Sequence, residues 1–297
     1  MKKHPFGRTV PITALVLLLL SGCEKAVDYL KANPTAVYSP CKIIQFNYQK
    51  SFLIGGTDTV RFTYNAAGDP VTALRVHPST GEPNWFFRYD AHGRFTDLIG
   101  RYGTTDNGFT ESWNRYFYDG HGRIIKDSAY FFPNEVNGQP TIDSIYRTSV
   151  EIALYEYDPK DRVSKETFID KGFTLVSTYT YDTRGNRQTP IVVETSPTGG
   201  APIASLTVGH GIPAQATYDN MINYHRTSNI WMFIDKDYSV NNPLTAAYDY
   251  NSYDLPVSII PVDSTDGNFL SVSHTSYDFK NATVVYHCDD PAPGVHP

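Results

Sequence analysis

Carboxylates recur in this sequence at a fixed place, directly after a tyrosine in a repeated motif. They are Asp90, Asp119, Asp158 and Asp182. Paired carboxylates can act as general acid and general base in a hydrolytic reaction. A short acceptor side chain at the start of a tight turn, however, bonds the backbone amides that follow it. Because this second role explains why the aspartates recur at one register, we predict that they cap turns.

Other residues that could bind a metal, act as a nucleophile or bind phosphate lack the sequence motifs that such sites require. His92 and His121 occupy equivalent positions of the motif, but no ligand spacing typical of a metal site accompanies them. The serines lack a nucleophile-elbow pattern. Gly209-His210-Gly211 lacks the strand-to-helix setting of a phosphate-binding loop. The sequence therefore predicts no catalytic residue, no metal site and no cofactor.

A group of aromatic residues in or beside two long loops is the one candidate binding surface. Aromatic rings stack on sugars and on peptides, so we predict that this surface binds either a glycan or a protein. The alternative is that the rings close over the core at the ends of the hairpins. The six residues are Tyr102, Phe109, Trp113, Tyr130, Phe131 and Phe132.

The elements that position these residues are repeats of strand, turn and strand. Each copy begins with an aromatic residue, any residue and tyrosine, so both rings lie on one face of a strand. The second tyrosine is followed by an Asp or Asn that starts the turn. Three residues after this Asp or Asn, a glycine or aspartate is predicted to take a positive φ. An apolar strand follows. The copies lie at 62–69, 87–94, 116–123, 155–162, 179–186 and 248–255.

This pattern resembles the YD repeats of the RHS-type family, whose core is an aromatic residue, Tyr-Asp, a turn, Gly-Arg and an apolar strand. The match is good at 89–94 and 118–123 and partial elsewhere, and it covers roughly 44–283. The resemblance implies an antiparallel sheet of successive hairpins. The chain is too short for the toxin-enclosing shell of the large family members. It is more similar to small YD-repeat lipoproteins of Gram-negative bacteria, for which no common activity is established.

Residues 1–22 have the form of a lipoprotein signal peptide. The apolar run at 12–20 is too short to span a membrane and follows a positively charged start. Leu-Ser-Gly-Cys at 20–23 resembles the lipobox, in which Cys23 becomes the lipidated N-terminus. We therefore expect attachment to a membrane through a lipid on Cys23, in the cell envelope of a Gram-negative bacterium and at the outer membrane.

The charge of the mature chain bears on its partners. Removal of the signal peptide leaves 22 basic residues against 31 acidic ones, a net charge near −9. Such a charge argues against binding to nucleic acid and against electrostatic attraction to anionic lipid.

The predicted fold is all-β, with repeated antiparallel hairpins in one long curved meander sheet, a roll or an incomplete barrel. So many strands would not stay in a flat open sheet. Residues 23–40 are predicted to be a lipid-anchored tether, 41–290 the β domain and 291–297 a flexible tail. The repeat pattern breaks at about 190–244, where apolar residues predict a packed insertion with short helical turns over part of the aromatic face.

Two cysteines remain once Cys23 is lipidated. Cys41 opens the first predicted strand and Cys288 ends the last one. Because the envelope outside the inner membrane is oxidising, we predict a disulfide between them, which would also bring the two ends of the sheet together. Two unpaired buried thiols are the alternative.

Two classes of function remain. The first is a lipid-anchored envelope protein that acts as a non-catalytic binding or interaction module. The alternative is an envelope enzyme of hydrolase type with its site in the insertion at 190–244. Repeats of one structural type need no catalytic constellation, which favours the first.

Overall fold

The computed structural model describes residues 21–50, 56–142, 150–195, 203–204, 217–262, 269–272 and 279–289. Residues 1–20 of the predicted signal peptide, the tail 291–297 and the side chain of Cys23 lie outside what is described. In the described part of the chain, no helix combines the length and the apolar character that a membrane span requires.

Strands dominate the described residues. The helices are α1 (Ser21–Ala32), a 3-10 turn (Tyr224–Thr227) and α2 (Asn229–Ile234). The strands are β1 (Cys41–Lys50), β2 (Thr57–Tyr64), β3 (Pro70–Arg75), β4 (Asn84–Tyr89), β5 (Phe95–Arg101), β6 (Thr110–Tyr118), β7 (Ile124–Phe131), β8 (Asn134–Val136), β9 (Gln139–Thr141), β10 (Glu151–Tyr157), β11 (Val163–Asp170), β12 (Phe173–Thr178), β13 (Ile191–Thr195), β14 (Ile203–Ala204), β15 (Ala246–Tyr250), β16 (Pro256–Pro261) and β17 (Phe279–Cys288).

One antiparallel sheet contains 15 of these strands, and β8 and β9 form a separate hairpin. The order is β14-β13-β12-β11-β10-β7-β6-β5-β4-β3-β2-β1-β17-β16-β15. Within the described residues the edge strands β14 and β15 do not pair with each other, so the sheet is open. The predicted all-β meander of hairpins is therefore confirmed.

The repeated aromatic pair lies on one face of the sheet, as predicted. In the repeat at 116–123, Tyr116 is buried and Tyr118 is half-buried against the same core, while Phe117 between them is exposed. The hydroxyl of Tyr118 donates to the carbonyl oxygen of Phe95 over 2.7 Å. The tyrosine hydroxyl thus satisfies a backbone acceptor of the preceding hairpin while its ring packs into the core.

The sheet curls around α2. Trp231 packs edge-on against Phe62 of β2, with ring centroids 5.7 Å apart, and Phe233 packs against Tyr155 of β10 at 5.2 Å. In a flat sheet β2 and β10, six strand steps apart in this order, would be about 29 Å from each other. Trp231 and Phe233 lie within one helical turn, so the strands must wrap around them. The predicted packed insertion over the aromatic face is therefore present.

The predicted start of that insertion is wrong. Residues 191–195 form β13, which pairs with β12, and 203–204 form β14 at the sheet edge. The β-branched run Ile191-Val192-Val193 explains why this stretch continues the sheet. The described helical part of the insertion is confined to 224–234.

The predicted tether is also wrong for residues 26–40. Leu30 and Tyr38 are buried in a small cluster with Ile222 and Val240. The guanidinium of Arg226 donates to the carbonyl oxygens of residues 34 and 36, which holds the segment to the insertion. The segment is therefore part of the domain, because an arginine far along the chain satisfies its backbone acceptors.

Cys41 and Cys288 face each other across β1 and β17 and form a disulfide, with their Cα atoms 4.0 Å apart. The bond does not close the sheet, contrary to the predicted consequence. β1 is an interior strand, because β16 and β15 continue the sheet on the far side of β17.

Candidate functional site

The recurring aspartates are turn caps, as predicted. Asp90 Oδ1 accepts hydrogen bonds from the backbone amides of His92 (2.9 Å) and Arg94 (3.0 Å), and Gly93 N donates to Asp90 O (3.0 Å). The glycine φ is +75°, and Asp161 takes the equivalent place at +59°. The backbone amide of Arg94, followed by its side chain, holds the pKa of Asp90 below its ordinary value. These carboxylates are therefore committed to the turns, where each accepts hydrogen bonds from backbone amides.

A cavity of about 410 Å³ lies between these turns and α2. The guanidinium groups of Arg94 and Arg123 line it, but each is already paired with the cap of its own turn, Asp90 or Asp119. The hydroxyl of Tyr157, which also lines it, donates to a backbone carbonyl over 2.7 Å. The lining groups are thus engaged in holding the repeats together, and we do not assign a ligand to this cavity.

His92 and His121 are exposed at neighbouring turns. Among the described residues, no group of three or more His, Cys, Asp or Glu side chains is placed to hold a metal ion.

A buried polar network fills the insertion, the part of the chain in which the alternative function predicts a hydrolase site. His225, 5% exposed, has its Nε2 2.8 Å from Asp235 Oδ2 and its Nδ1 2.9 Å from Asn223 Oδ1. Asn223 Oδ1 also accepts from the backbone amide of His225, which identifies that atom as an acceptor. The Nδ1 must therefore donate, while the Nε2 faces a carboxylate.

Both ring nitrogens of His225 thus have partners inside the insertion. Nearby, burial opposes the ionisation of Asp237, but the charge of Arg187 and the hydrogen bonds from Ser239 lower its pKa. Arg187 also donates to the carbonyl oxygens of Asp235 and Lys236, both over 2.9 Å. In the described part of the insertion, these contacts secure α2 and the loop after it.

Three of the six predicted binding residues come together at the end of the sheet opposite the capped turns. Phe109 stacks on Tyr102, with centroids 5.9 Å apart and ring planes 6° from parallel. Phe132 also lies near Phe109, with ring centroids 6.1 Å apart. Phe109 is 63% exposed, and the two flanking rings are half-buried. We call Tyr102, Phe109 and Phe132 the aromatic platform.

Charged groups surround the aromatic platform. The hydroxyl of Tyr102 donates to Glu111, whose carboxylate also accepts from the backbone amide of Gly81. Burial and the hydrogen bond to Glu111 raise the pKa of Tyr102. Asp106 lies in the same loop as Phe109 and pairs with Arg88 at 2.9 Å. Carboxylates fixed beside stacked rings can bind hydroxyl groups of a ligand that lies on the rings.

Trp113 is not part of any binding surface, and its prediction is wrong. It is fully buried on the outer face of the sheet, where its indole N–H donates to Asp97 Oδ1 over 2.7 Å. The guanidinium of Arg88 lies 4.8 Å from its ring. Trp113 precedes Tyr116 by three residues and so faces away from the main core. No regular spacing reveals that arginines cover this outer face.

Tyr130 and Phe131 also fall outside the platform. Both lie in β7, where Tyr130 packs against the small outer cluster of Trp113, Phe86 and Ile99. Phe131 is half-buried at the end of the strand. For Tyr130 the alternative interpretation, that the rings cover a core, fits the structure.

No family model and no curated protein matches this sequence. The TcdB2-TccC3-Cdc42 complex is similar over 72% of this chain and 10% of that chain, at 14% identity and a TM-score of 0.29. The Tc holotoxin pore of Photorhabdus luminescens is similar over 74% of this chain and 11% of that chain, at 14% identity and 0.29. A porin-like protein from Bacteroides uniformis is similar over 82% of this chain and 98% of that chain, at 9% identity and 0.42.

The chain thus spans about a tenth of the Tc toxin chains that it matches. The similarity to the TccC3-containing region is distant and assigns no activity to the chain.

Proposed function

We propose that this chain is a lipid-anchored protein of a Gram-negative cell envelope that binds a glycan, without catalysis, on the aromatic platform. The observation that supports this most is the exposure of Phe109, 63%, next to two further rings. A large apolar side chain held in water beside other aromatic rings is suited to stacking on a flat ligand.

The backbone at Phe132 supports the same proposal. Its φ is +45°, a conformation that L-residues with large side chains rarely adopt. Residues held in such conformations cost of order 1–3 kcal/mol and cluster at functional sites. The amide of Phe132 donates to the carbonyl oxygen of Glu111 over 2.8 Å, and this hydrogen bond helps to hold the turn that brings the ring to Phe109.

A glycan fits the platform better than a folded protein does. A stable protein interface buries about 800 Å² on each partner, whereas three partly buried rings offer roughly a few hundred Å². Sugar rings stack on aromatic faces, and their hydroxyl groups would donate to the carboxylates of Glu111 and Asp106.

The test is a glycan array probed with the full mature chain, followed by titration of the strongest ligand. We expect Phe109→Ala to weaken binding about tenfold, which corresponds to about 1.4 kcal/mol. The melting temperature of the Phe109→Ala variant should equal that of wild type, because the Phe109 side chain is mostly exposed. Phe117→Ala is the matched control, since Phe117 is 42% exposed at the other end of β6. Equal binding by wild type and Phe109→Ala would contradict the proposal, as would equal weakening by both variants.

A further inference from the structure

The segment that follows the lipidation motif is fixed beside the capped turns. Asp28, Lys31 and Ala32 of α1 line one small cavity together with residues of the turns at 158–162 and 182–186. Thr35 lines the larger cavity with the turns at 93–94 and 122–123. The N-terminal segment therefore runs along the edge of the sheet where the repeats turn, which we call the turn edge.

The attachment point is close to that edge. Leu30 of α1 is 1% exposed and belongs to the buried cluster with Ile222 and Val240. Cys23 precedes Leu30 by seven residues of helix, a rise of about 10 Å. A lipid on Cys23 would therefore hold the domain directly against a membrane, with no long spacer between them.

Basic residues project from the turn edge. The third residue of four successive turns is exposed and is a histidine, a lysine or an arginine, namely His92, His121, Lys160 and Arg184. The guanidinium of Arg184 is bonded to residues of the insertion, which leaves Lys160 as the lysine of these tips. Lys31 of α1 is exposed next to them. The turn aspartates bond amides of their own turns, and Asp161 is paired with Arg123 at 3.2 Å. Asp28 is the acidic residue of α1 that faces the same cavity.

The aromatic platform lies at the opposite end of the same hairpins. Phe95 begins β5 at a capped turn, and Arg101 ends it next to Tyr102. A strand of this length spans about 20 Å.

We infer that the turn edge is a membrane-facing surface that lies on the phospholipid headgroups, with the aromatic platform directed away from the bilayer. The anchor supplies the affinity, and the position of α1 along the turn edge sets the orientation. Lys31 and Lys160, both exposed on this edge, can bind phosphate groups of the headgroups. This inference rests on the lipid attachment in the proposed function and is independent of glycan binding.

The experiment attaches the lipid chemically, so that it does not depend on processing in the cell. In the mature chain the disulfide leaves Cys23 as the free thiol, which can be coupled to a maleimide phospholipid in vesicles of phosphatidylethanolamine and phosphatidylglycerol. A fluorescent amino acid replaces either His121 at the turn edge or Asn107 in the platform loop. Energy transfer to acceptor-labelled headgroups then reports the height of each position above the membrane.

We expect roughly twofold or more efficient transfer from position 121 than from position 107, because the two heights differ by about 20 Å. A linker of about 20 Gly and Ser residues after Cys23 should reduce the difference by allowing the domain to tumble. The double variant Lys31→Glu and Lys160→Glu should also reduce the difference in energy transfer between the two positions. Both lysines are exposed, so the melting temperature of the double variant should stay unchanged and checks that it folds. Equal transfer from the two positions, or stronger transfer from 107, would overturn the inference whether or not a glycan binds.

Discussion

The guanidinium of Arg123 lies 5.1 Å from the ring centroid of Tyr157, the second aromatic residue of the next repeat. Arg94 lies in the same way over Tyr118 at 5.0 Å. Each such arginine is also held by the carboxylate that caps its own turn, Asp119 in the case of Arg123. A turn in one hairpin therefore stabilises the ring of the next hairpin, which explains why the Tyr-Asp and Gly-Arg parts of the motif occur together.

This relationship predicts a measurable coupling between Arg123 and Tyr157. A double-mutant cycle with Arg123→Met and Tyr157→Leu should give a coupling free energy of about 0.5–1 kcal/mol, the usual size for a partly exposed cation–π pair. Urea unfolding of the four proteins measures it. Pairing Arg88→Met with Tyr157→Leu serves as the control, because Arg88 lies over Trp113 instead. If the effects of Arg123→Met and Tyr157→Leu simply add, the stacking does not couple the repeats.

The glycines of the turns allow a sharper test, because one turn contains two of them. Gly122 has a φ of +80°, whereas Gly120 has no positive φ, and an added Cβ would meet no atom within 4 Å at either position. Gly122→Ala should therefore lower the free energy of unfolding by about 1 kcal/mol through backbone strain alone. Gly120→Ala should leave it unchanged or raise it slightly. Equal melting temperatures for the two variants would contradict the assigned turn geometry.

Local features of the fold could be predicted from the sequence because they depend on neighbours within one repeat. Spacing of two places Tyr116 and Tyr118 on one face, and a carboxylate three residues before Gly122 specifies the turn. The all-β meander follows from repeating that unit. Each of these inferences requires no knowledge of distant contacts.

Several features that depend on distant contacts could not be predicted. The burial of Trp113 depends on arginines of other strands, and the docking of residues 26–40 depends on Arg226, 190 positions or more along the chain from the carbonyl groups that it binds. Loop position identifies the three rings of the aromatic platform but does not separate them from the three predicted rings that lie elsewhere. In the described residues β15 and β16 continue the sheet beyond β17, and nothing local to Cys41 or Cys288 indicates this.

The turn caps predict a dependence of stability on acid. The backbone amide of Arg123, against some desolvation, lowers the pKa of Asp119 in the folded protein. A carboxyl group whose pKa is lowered by folding stabilises the protein at pH values above its pKa in the unfolded chain, about 3.9 for Asp. This stabilisation is lost as the pH falls through the pKa of the group in the folded protein. Asp119→Asn keeps an acceptor at the cap but cannot titrate, so its stability should fall less steeply below pH ~4 than that of wild type.

Thermal melting of wild type and Asp119→Asn across the acidic range measures this difference. Asp254→Asn is a control for the loss of one turn carboxylate, since Asp254 takes the positive-φ place of its turn and is not the cap. Parallel pH profiles for wild type and Asp119→Asn would show that the cap contributes no pH-dependent stability.

The last prediction concerns the disulfide between Cys41 and Cys288, which joins residues 247 positions apart. Because the bond links an interior strand to the last described strand, its loss should release β15, β16 and β17 more readily than β2 to β7. In the chain-entropy model a loop of this length corresponds to about 5 kcal/mol of stabilisation. We expect Cys41→Ala with Cys288→Ala to lower the free energy of unfolding by up to about that amount, with Cys23→Ser as the control. Hydrogen exchange should show the largest loss of protection in β17, where the cross-link acts directly. An unchanged unfolding midpoint after reduction, with both thiols then alkylated, would mean that strand pairing alone holds β17 to β1.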